Sequence, residues 1–294
     1  MRRKGFTLVE LLVVIAIIAL LMGILMPALA RVRQLAYRLY CGTNLSGIGK
    51  AMLIYSNDYD DEMPRAGLRG STWTAPITDW KAATRSAAFT TGRGSSASIT
   101  SSFYLLIKYA EVTPKSFLCK GDSGVTEFKG SEHGLAGAEL IDLWDFGNHP
   151  AQAHCSYSYH IPYGVYALTA SSEPGMAVAA DPNPWQATAG MAARPATDWP
   201  LFTPAVETRE TIKKGNSQAH QEDGQNVLFM DGHAIFEKSS RCGVDDDNIF
   251  TKWIGTGTAA GDKRNGIYPI ALVDPAGRTD SFLVTDGAVT TITH

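Results

Sequence analysis

The chain has no excess of basic residues, and this absence narrows the range of partners. Lys and Arg number 26 against 29 Asp and Glu, so the formal net charge is −3 at pH 7. Proteins that follow a phosphate backbone usually carry a basic patch and an overall basic balance. The charge balance therefore argues against nucleic acid as a partner.

The short motifs of common hydrolases and nucleotide-binding enzymes are also missing. The sequence contains no His-Glu-x-x-His, no Cys-x-x-Cys, no phosphate-binding loop and no Gly-x-Ser-x-Gly. Cysteine is sparse, with four residues in 294. These absences favour a binding or structural role over catalysis.

One long hydrophobic run is present, at the N-terminus. It extends from Phe6 to Leu25, follows three cations at positions 2–4, and is interrupted by Thr7, Glu10 and Gly23. Twenty helical residues span about 30 Å, the thickness of the hydrocarbon core of a bilayer. The run predicts a transmembrane helix.

Glu10 separates this run from an ordinary signal peptide or anchor. A signal peptide has a cleavage site of small residues, and Ala28-Leu29-Ala30 offers one. However, a carboxylate within the membrane costs about 2.5–3.5 kcal/mol, which a disposable signal has no reason to carry. We expect Glu10 to find a cationic partner outside its own segment.

The stretch Lys4-Gly-Phe-Thr-Leu-Val-Glu10 resembles the start of type IV pilin and type II secretion pseudopilin precursors. The resemblance implies that a prepilin peptidase cuts between Gly5 and Phe6 and that the Phe6 amine is methylated. It also implies that Glu10 faces the amine of a neighbouring subunit and that Pro27 bends a long helix. The expected partners are therefore the peptidase, other pilin or pseudopilin subunits and the membrane.

The same resemblance predicts the organisation of the chain. Residues 1–5 would be the leader, and residues 6–59 a long helix whose segment 6–27 spans the membrane and forms the filament core. Residues 60–294 would form an exported globular head. The protein would be single-pass in the inner (cytoplasmic) membrane, with its head in the periplasm or at the cell surface.

An apolar stripe continues the helix beyond Pro27. Its members recur at steps of three and four residues: Cys41, Leu45, Ile48, Met52, Tyr55 and Tyr59. This spacing places them on one face of a helix, which we expect to run from Phe6 to about Tyr55. The stripe should face the head.

The rest of the chain predicts short strands, and the expected fold class is α+β. The long kinked helix would pack on a mostly antiparallel sheet, as in pilins. We expect strands at Phe117–Cys119, at residues 157–163 and at Met176–Ala180. A short helix should begin at Ser101-Ser102 and end near Tyr109. Residues 65–102 predict a loop whose tryptophans fold back onto the head.

Two Asp-Gly pairs between apolar runs predict β-hairpins. A type I′ turn at Asp231-Gly232 would place Met230 opposite His233. One face of that hairpin would then carry Val227, Phe229, Ala234 and Phe236 toward the helix. The second pair, Asp286-Gly287, predicts another hairpin with residues 288–292 as its second strand.

The first of these hairpins extends the resemblance. Large pilin-like proteins with a histidine-to-Asp-Gly C-terminal motif share its pattern, carried here by Cys41, Cys119, His220, Asn226, Asp231, Gly232 and His233. Residues 221–230 separate His220 from Asp231, one residue more than that motif usually has. Two interpretations stay open: a network of buried hydrogen bonds, or an acid–base or zinc site that Asp181 would join in space.

The acidic run Asp245-Asp246-Asp247 is a candidate calcium site, because this hard cation binds oxygen-rich loops and major pseudopilins hold calcium in such a loop. Calcium needs six to eight oxygens, whereas three adjacent aspartates point in different directions. A solvated acidic loop is the alternative. No other cofactor is expected.

Four cysteines allow three disulfide pairings. The resemblance places Cys41 and Cys119 at its usual positions, and Cys41 lies on the stripe that should face a buried strand. We therefore favour Cys41–Cys119 and Cys155–Cys242, with buried free thiols as the alternative.

The function expected from these features is that of a structural filament subunit and not an enzyme. The filament would be a type IV pilus or a type II secretion pseudopilus. A membrane-anchored, exported binding protein that does not polymerise is the first alternative. An anchored hydrolase using His220 and Asp231 is the second.

Overall fold

The computed structural model describes residues 6–73, 77, 79–89, 96–133, 137, 139–147, 151–201, 208–269 and 273–287. A single helix, α1, occupies Leu8–Asp58 and confirms the expected long N-terminal helix. Thr7 caps it, because the Thr7 hydroxyl accepts from the Glu10 N–H while the Glu10 carboxylate accepts from the Thr7 N–H. The helix continues through Pro27, and the expected bend there stays a prediction.

The second half of α1 packs on the head with the face that the stripe predicts. Cys41, Leu45, Ile48, Met52 and Tyr55 are all buried. Tyr59, just past the helix, is half-buried, and its ring stacks on that of Tyr55 with centroids 4.2 Å apart. Positive φ at Asp60 and Asp61 then turns the chain away from the helix axis.

The head is built on a five-stranded sheet in which all pairs are antiparallel, which confirms the α+β fold class. The strand order is β6-β5-β4-β3-β7. The strands are β3 Ser158–His160, β4 Ala177–Ala180, β5 Gln225–Phe229, β6 Ala234–Glu237 and β7 Leu283–Val284. Strands β3 and β4 lie where the sequence predicts them. A separate parallel pair joins β1 Thr72–Trp73 to β2 Ser96–Ala97.

Short helices complete the head. The α-helices are α2 Arg85–Ala88, α3 Ile99–Ala110, α4 Arg209–Lys214 and α5 Ala260–Asn265. In the described part of the chain, 3-10 helices occupy Pro114–Phe117, Gly130–His133, Leu140–Asp142, Ala151–His154, Ala196–Leu201 and Gln218–His220. The predicted strand at Phe117–Cys119 is wrong, because Pro114 starts a 3-10 turn and the chain then runs irregularly past Cys119.

Helix α3 begins earlier than predicted, because Ser98 caps it instead of Ser101 or Ser102. The Ser98 hydroxyl accepts from the Ser101 N–H at 3.0 Å. The Asp286 carboxylate satisfies two further N–H groups of the first turn, those of Ile99 at 3.0 Å and Thr100 at 2.7 Å. Asp286 therefore ties the chain after β7 to α3, while the second strand of its predicted hairpin, residues 288–292, lies outside the described residues.

The hairpin of β5 and β6 forms, but its predicted register is wrong by one residue. Leu228 pairs with Ala234, and Val227 pairs with Ile235. Phe229 and His233 close a three-residue loop in which Gly232 has φ +88° and Asp231 has no positive φ. This is typical of a type I turn followed by a left-handed residue, not of the predicted type I′ turn.

The register error reverses the predicted faces of β5. Leu228 and Met230 belong to the core beneath α1, whereas Val227 and Phe229 lie in a second core with Ile249 and Phe250. The predicted face of β6 is correct. Ala234 packs on the core beneath α1, and the Phe236 ring lies 4.5 Å from the guanidinium of Arg38 on α1. A shift of one residue moves a strand's side chains to the other face.

Glycine sets the closest approach of α1 to the sheet. A Cβ at Gly49 would lie 2.6 Å from Cδ1 of Leu228, whereas a Cβ at Gly47 would meet no described atom within 4 Å outside the adjacent helix backbone. The two glycines therefore differ in what they permit. Gly49 allows β5 to pack against the helix backbone, and Gly47 faces solvent.

These glycines make a matched pair for a stability test. We expect Gly49→Leu to lower the free energy of unfolding by about 1–3 kcal/mol, because the new side chain overpacks the contact with Leu228. Gly47→Leu should raise it by up to about 1 kcal/mol through better helix propensity. Thermal melts of the full chain in detergent measure both. Equal shifts for the two variants would contradict the assigned packing.

Candidate functional site

The N-terminal part of α1 is an uncovered apolar segment. Its most apolar 18-residue window has a mean hydropathy of 3.1 and is 0% buried, and α1 is the single described helix long and apolar enough to cross a membrane. Phe6 is exposed at the start of this segment, and Gly5 lies outside the described residues. Among the described residues, Glu10 contacts Thr7 and no cation.

A second site is a buried cluster of four side chains that we call the thiol cluster: Cys41, Cys119, Asp181 and His220. One potential ligand atom from each lies within 4.8 Å of all the others. Cys41 comes from α1, Cys119 follows the 3-10 helix Pro114–Phe117, Asp181 follows β4, and His220 ends a 3-10 helix. The fold thus brings together four residues that are remote in sequence.

The distances within the thiol cluster are short. Cys41 Sγ and Cys119 Sγ lie 2.7 Å apart. His220 Nε2 lies 3.7 Å from Cys119 Sγ and 3.0 Å from Asp181 Oδ2. All four side chains are buried, so the cluster is closed to bulk solvent.

Asn226 on β5 holds the Asp181 carboxylate in place. Its backbone N–H and side-chain Nδ2 donate to Asp181 Oδ2 at 2.6 and 2.9 Å, and its carbonyl accepts from the Asp181 N–H at 3.0 Å. The other oxygen, Asp181 Oδ1, is buried and has no hydrogen-bond partner among the residues that the structure describes. Gly42 on α1 leaves room for this arrangement, because a Cβ there would lie 3.0 Å from Asn226 Oδ1.

The charges of the thiol cluster are coupled. The hydrogen bond from Cys119 outweighs burial and, with His220 nearby, lowers the pKa of the Cys41 thiol to about 6. Burial and the neighbouring Cys41 raise the pKa of Cys119 well above its usual value. Burial alone would lower the pKa of His220, but the Asp181 carboxylate raises it to about 10. The cluster therefore favours one thiolate beside an imidazolium.

The structure divides the histidine-to-Asp-Gly motif between two places. His220 and Asn226 belong to the buried cluster, while Asp231 and His233 pair with each other at the hairpin turn, with side chains 47% and 52% exposed. The ionic partner of His220 is Asp181 and not Asp231. The pair on which the hydrolase hypothesis depends is therefore not formed.

The other two cysteines lie apart from this cluster. Cys155 Sγ contacts the carbonyl of Tyr157 within the first core, and Cys242 Sγ contacts the carbonyl of Ser240 beside the second core. All four cysteines are free thiols in this structure. The Cys155–Cys242 pairing stays a prediction and gains no support from these contacts.

The three aspartates of the acidic run face different partners. Asp245 pairs with Lys263 at 2.8 Å, and Asp246 pairs with Arg264. Asp247 is buried and accepts from the Trp253 indole N–H and the Ser281 N–H at 2.6 and 2.8 Å. Burial and the nearby Asp280 raise the pKa of Asp247 well above its usual value. The calcium site stays a prediction, and these contacts do not support it.

Comparison with known families identifies the N-terminal segment. Residues 1–26 match the family model described as the prokaryotic N-terminal methylation motif. Together with the long apolar helix that follows, this match is consistent with a type IV pilin-like protein that has a prepilin-type N-terminus. Comparison with curated proteins and with solved structures gives no match.

The placement of Asn226 in the buried cluster and of Asp231 at the exposed turn can be tested with two opposite Asn/Asp exchanges. Asn226→Asp replaces a donor to Asp181 with a second carboxylate in a buried site, so it should lower the free energy of unfolding by about 3 kcal/mol. Asp231→Asn keeps an acceptor at an exposed turn and should change it by less than about 0.5 kcal/mol. Melting of the two full-length variants measures the difference, and a large loss for Asp231→Asn would contradict the assignment.

Proposed function

We propose that the protein is a structural subunit of a filament of the type IV pilus or type II secretion pseudopilus kind, processed by a prepilin peptidase. The observation that carries the proposal is the position of Glu10. It is a carboxylate in an uncovered apolar helix, within the segment that matches the methylation motif. The head would lie outside the inner membrane, and the protein would reside in that membrane before assembly.

The mechanism is the packing of α1 helices around a common axis. After cleavage at Gly5, the Phe6 amine would carry a positive charge one turn from Glu10. The amine of one subunit would neutralise Glu10 of the next, and a wrong register would leave that carboxylate unpaired in an apolar core. The charge pair would thus select the stagger between neighbouring subunits.

Apolar side chains beyond Pro27 support a filament over a simple anchor. Leu29, Val32, Leu35 and Leu39 remain exposed between the membrane segment and the head, and Leu39 is 74% exposed. An anchor that acts alone gains nothing from apolar residues outside the bilayer, where they face water. Neighbouring helices in a filament would cover them.

Cleavage is the first test of this function. We expect the mature chain to begin at an N-methylated Phe6, and Gly5→Val to leave the precursor uncut because the resemblance implies cleavage after a glycine at that position. Intact-mass measurement of membrane fractions distinguishes the two forms. Gly23→Val is a control within the same apolar run, since no atom lies within 4 Å of a Cβ there. A mature chain that begins at Arg31 would refute the proposal.

The charge of Glu10 is the second test. In the monomer the Glu10 carboxylate also caps α1 through Thr7, so a substitution must separate the two roles. Glu10→Gln retains a side-chain oxygen for the cap but removes the charge, and Glu10→Val removes both. We expect both variants to remain in the membrane and to be lost from filaments, because the pair with the Phe6 amine is absent.

Immunoblots of sheared filaments and of membrane fractions measure this loss. Wild-type levels of Glu10→Gln in sheared filaments would contradict the role of the charge. Normal membrane residence of the wild-type chain in cells that form no filaments containing it would instead favour the anchored binding protein.

A further inference from the structure

We propose that the thiol cluster is a zinc site, with Cys41, Cys119, His220 and Asp181 as its four protein ligands. Thiolate, imidazole and carboxylate are the donors that Zn²⁺ takes in proteins, and four protein ligands are typical of a structural site. The cluster lies within the head, at the place where the head packs on α1. The inference therefore does not depend on filament assembly.

The positions of His220, Cys119 and Asp181 are compatible with a tetrahedral zinc site. Zinc–ligand bonds of about 2.3 Å to sulfur and about 2.0–2.1 Å to nitrogen or oxygen place neighbouring S and N ligands about 3.5 Å apart, and N and O ligands about 3.3 Å apart. Here His220 Nε2 lies 3.7 Å from Cys119 Sγ, near the value for S and N ligands. The same Nε2 lies 3.0 Å from Asp181 Oδ2, so the Asp181 carboxylate is within reach of an ion that His220 holds.

The two sulfurs are the exception. They lie 2.7 Å apart, whereas two sulfur ligands of a tetrahedral zinc ion lie about 3.8 Å apart. A movement of about 1 Å, within reach of side-chain rotation at Cys41 and Cys119, would make room for the ion. An ion between the sulfurs would relieve their close approach and neutralise their charge.

The Asp181 carboxylate provides a second, independent indication of a ligand. Asp181 is fully buried, and no described residue forms a hydrogen bond with its Oδ1. A buried carboxylate oxygen without a partner is costly, and a metal ion is one of the few groups that can satisfy it. Asn226 already holds the other oxygen through two donors, in the manner of an outer-shell residue that orients a ligand.

A disulfide between Cys41 and Cys119 explains less of this cluster. It would involve the two sulfurs. It would not explain why His220 and Asp181 pair in a buried place, or why Asp181 Oδ1 has no partner among the described residues. Zinc engages all four side chains and so accounts for their convergence from four separate elements. Bound zinc would fasten α1 to the loop after Pro114–Phe117, to the end of β4 and to the turn before β5.

Metal analysis of the full chain tests the proposal. The protein is purified in detergent without a metal-affinity column, kept reduced with a phosphine and equilibrated with Zn²⁺ alone before dialysis. We expect about one zinc per wild-type chain by elemental mass spectrometry. Cys119→Ser and His220→Gln should lower this content at least tenfold. Cys155→Ser, which removes another buried thiol outside the cluster, should retain it.

Cobalt substitution gives a second measurement that needs no variant. Co²⁺ bound to the wild-type chain by two thiolates should produce thiolate-to-cobalt absorption bands and tetrahedral d–d bands, and Zn²⁺ should abolish both. This keeps the proposal testable if the variants fail to fold. Chelation should also lower the melting temperature of the zinc-loaded wild-type chain.

Two results would overturn the zinc site. One is a reduced wild-type chain that takes up neither Zn²⁺ nor Co²⁺. The other is a protein that, isolated from cells without reductant, contains no zinc and yields a Cys41–Cys119 linked peptide on digestion, which would establish the predicted disulfide instead. Neither result bears on cleavage at Gly5 or on Glu10, so failure here leaves the filament proposal standing.

Discussion

The contact between α1 and β5 is the constraint on which the rest of the head depends. Gly42 and Gly49 are seven residues apart, about two helical turns, and they meet Asn226 and Leu228 on one face of β5. Because neither glycine carries a side chain, the helix backbone approaches the strand closely. The same approach buries the apolar stripe and places Cys41 beside the residues that Asn226 organises. The close approach of α1 to β5 therefore supports both the packing of the core and the geometry of the thiol cluster.

Local sequence patterns predict much of this architecture. The features that were predicted wrongly or not at all are ones that local patterns do not determine. The stripe from Cys41 to Tyr55 predicts the buried face of α1 because helical periodicity needs no knowledge of the partner. The Asp231-Gly232 pair predicts a hairpin but not its register, since Asp-Gly fits loops of both two and three residues. The thiol cluster joins residues from positions 41 to 220, so only the tertiary fold reveals it. In the sequence, the close approach is signalled by Gly42, Gly47 and Gly49, which lower the helix propensity of this part of α1.

The two ends of the histidine-to-Asp-Gly motif have different structural roles. Strand β5 runs from the buried cluster at Asn226 to the exposed turn at Asp231, so the two ends of the motif serve a polar network and a chain reversal. The segment between His220 and β5 is a loop with positive φ at Gln221, Glu222 and Gly224. An extra residue between His220 and Asp-Gly can be absorbed in this loop without altering β5. The number of residues between His220 and Asp-Gly can therefore change more freely than the residues of β5 itself.

The continuity of α1 has a mechanical consequence. A helix of 51 residues is about 76 Å long, and it enters the core of the head without an intervening linker. A force on the head is therefore transmitted along the hydrogen-bond ladder into the apolar segment instead of being absorbed by slack chain. Pro27 interrupts that ladder, since it has no N–H to donate, and bending under load should concentrate there. The molecule therefore behaves as a stiff rod with one more flexible point, at the end of the apolar segment and well before Cys41, the first buried residue of α1.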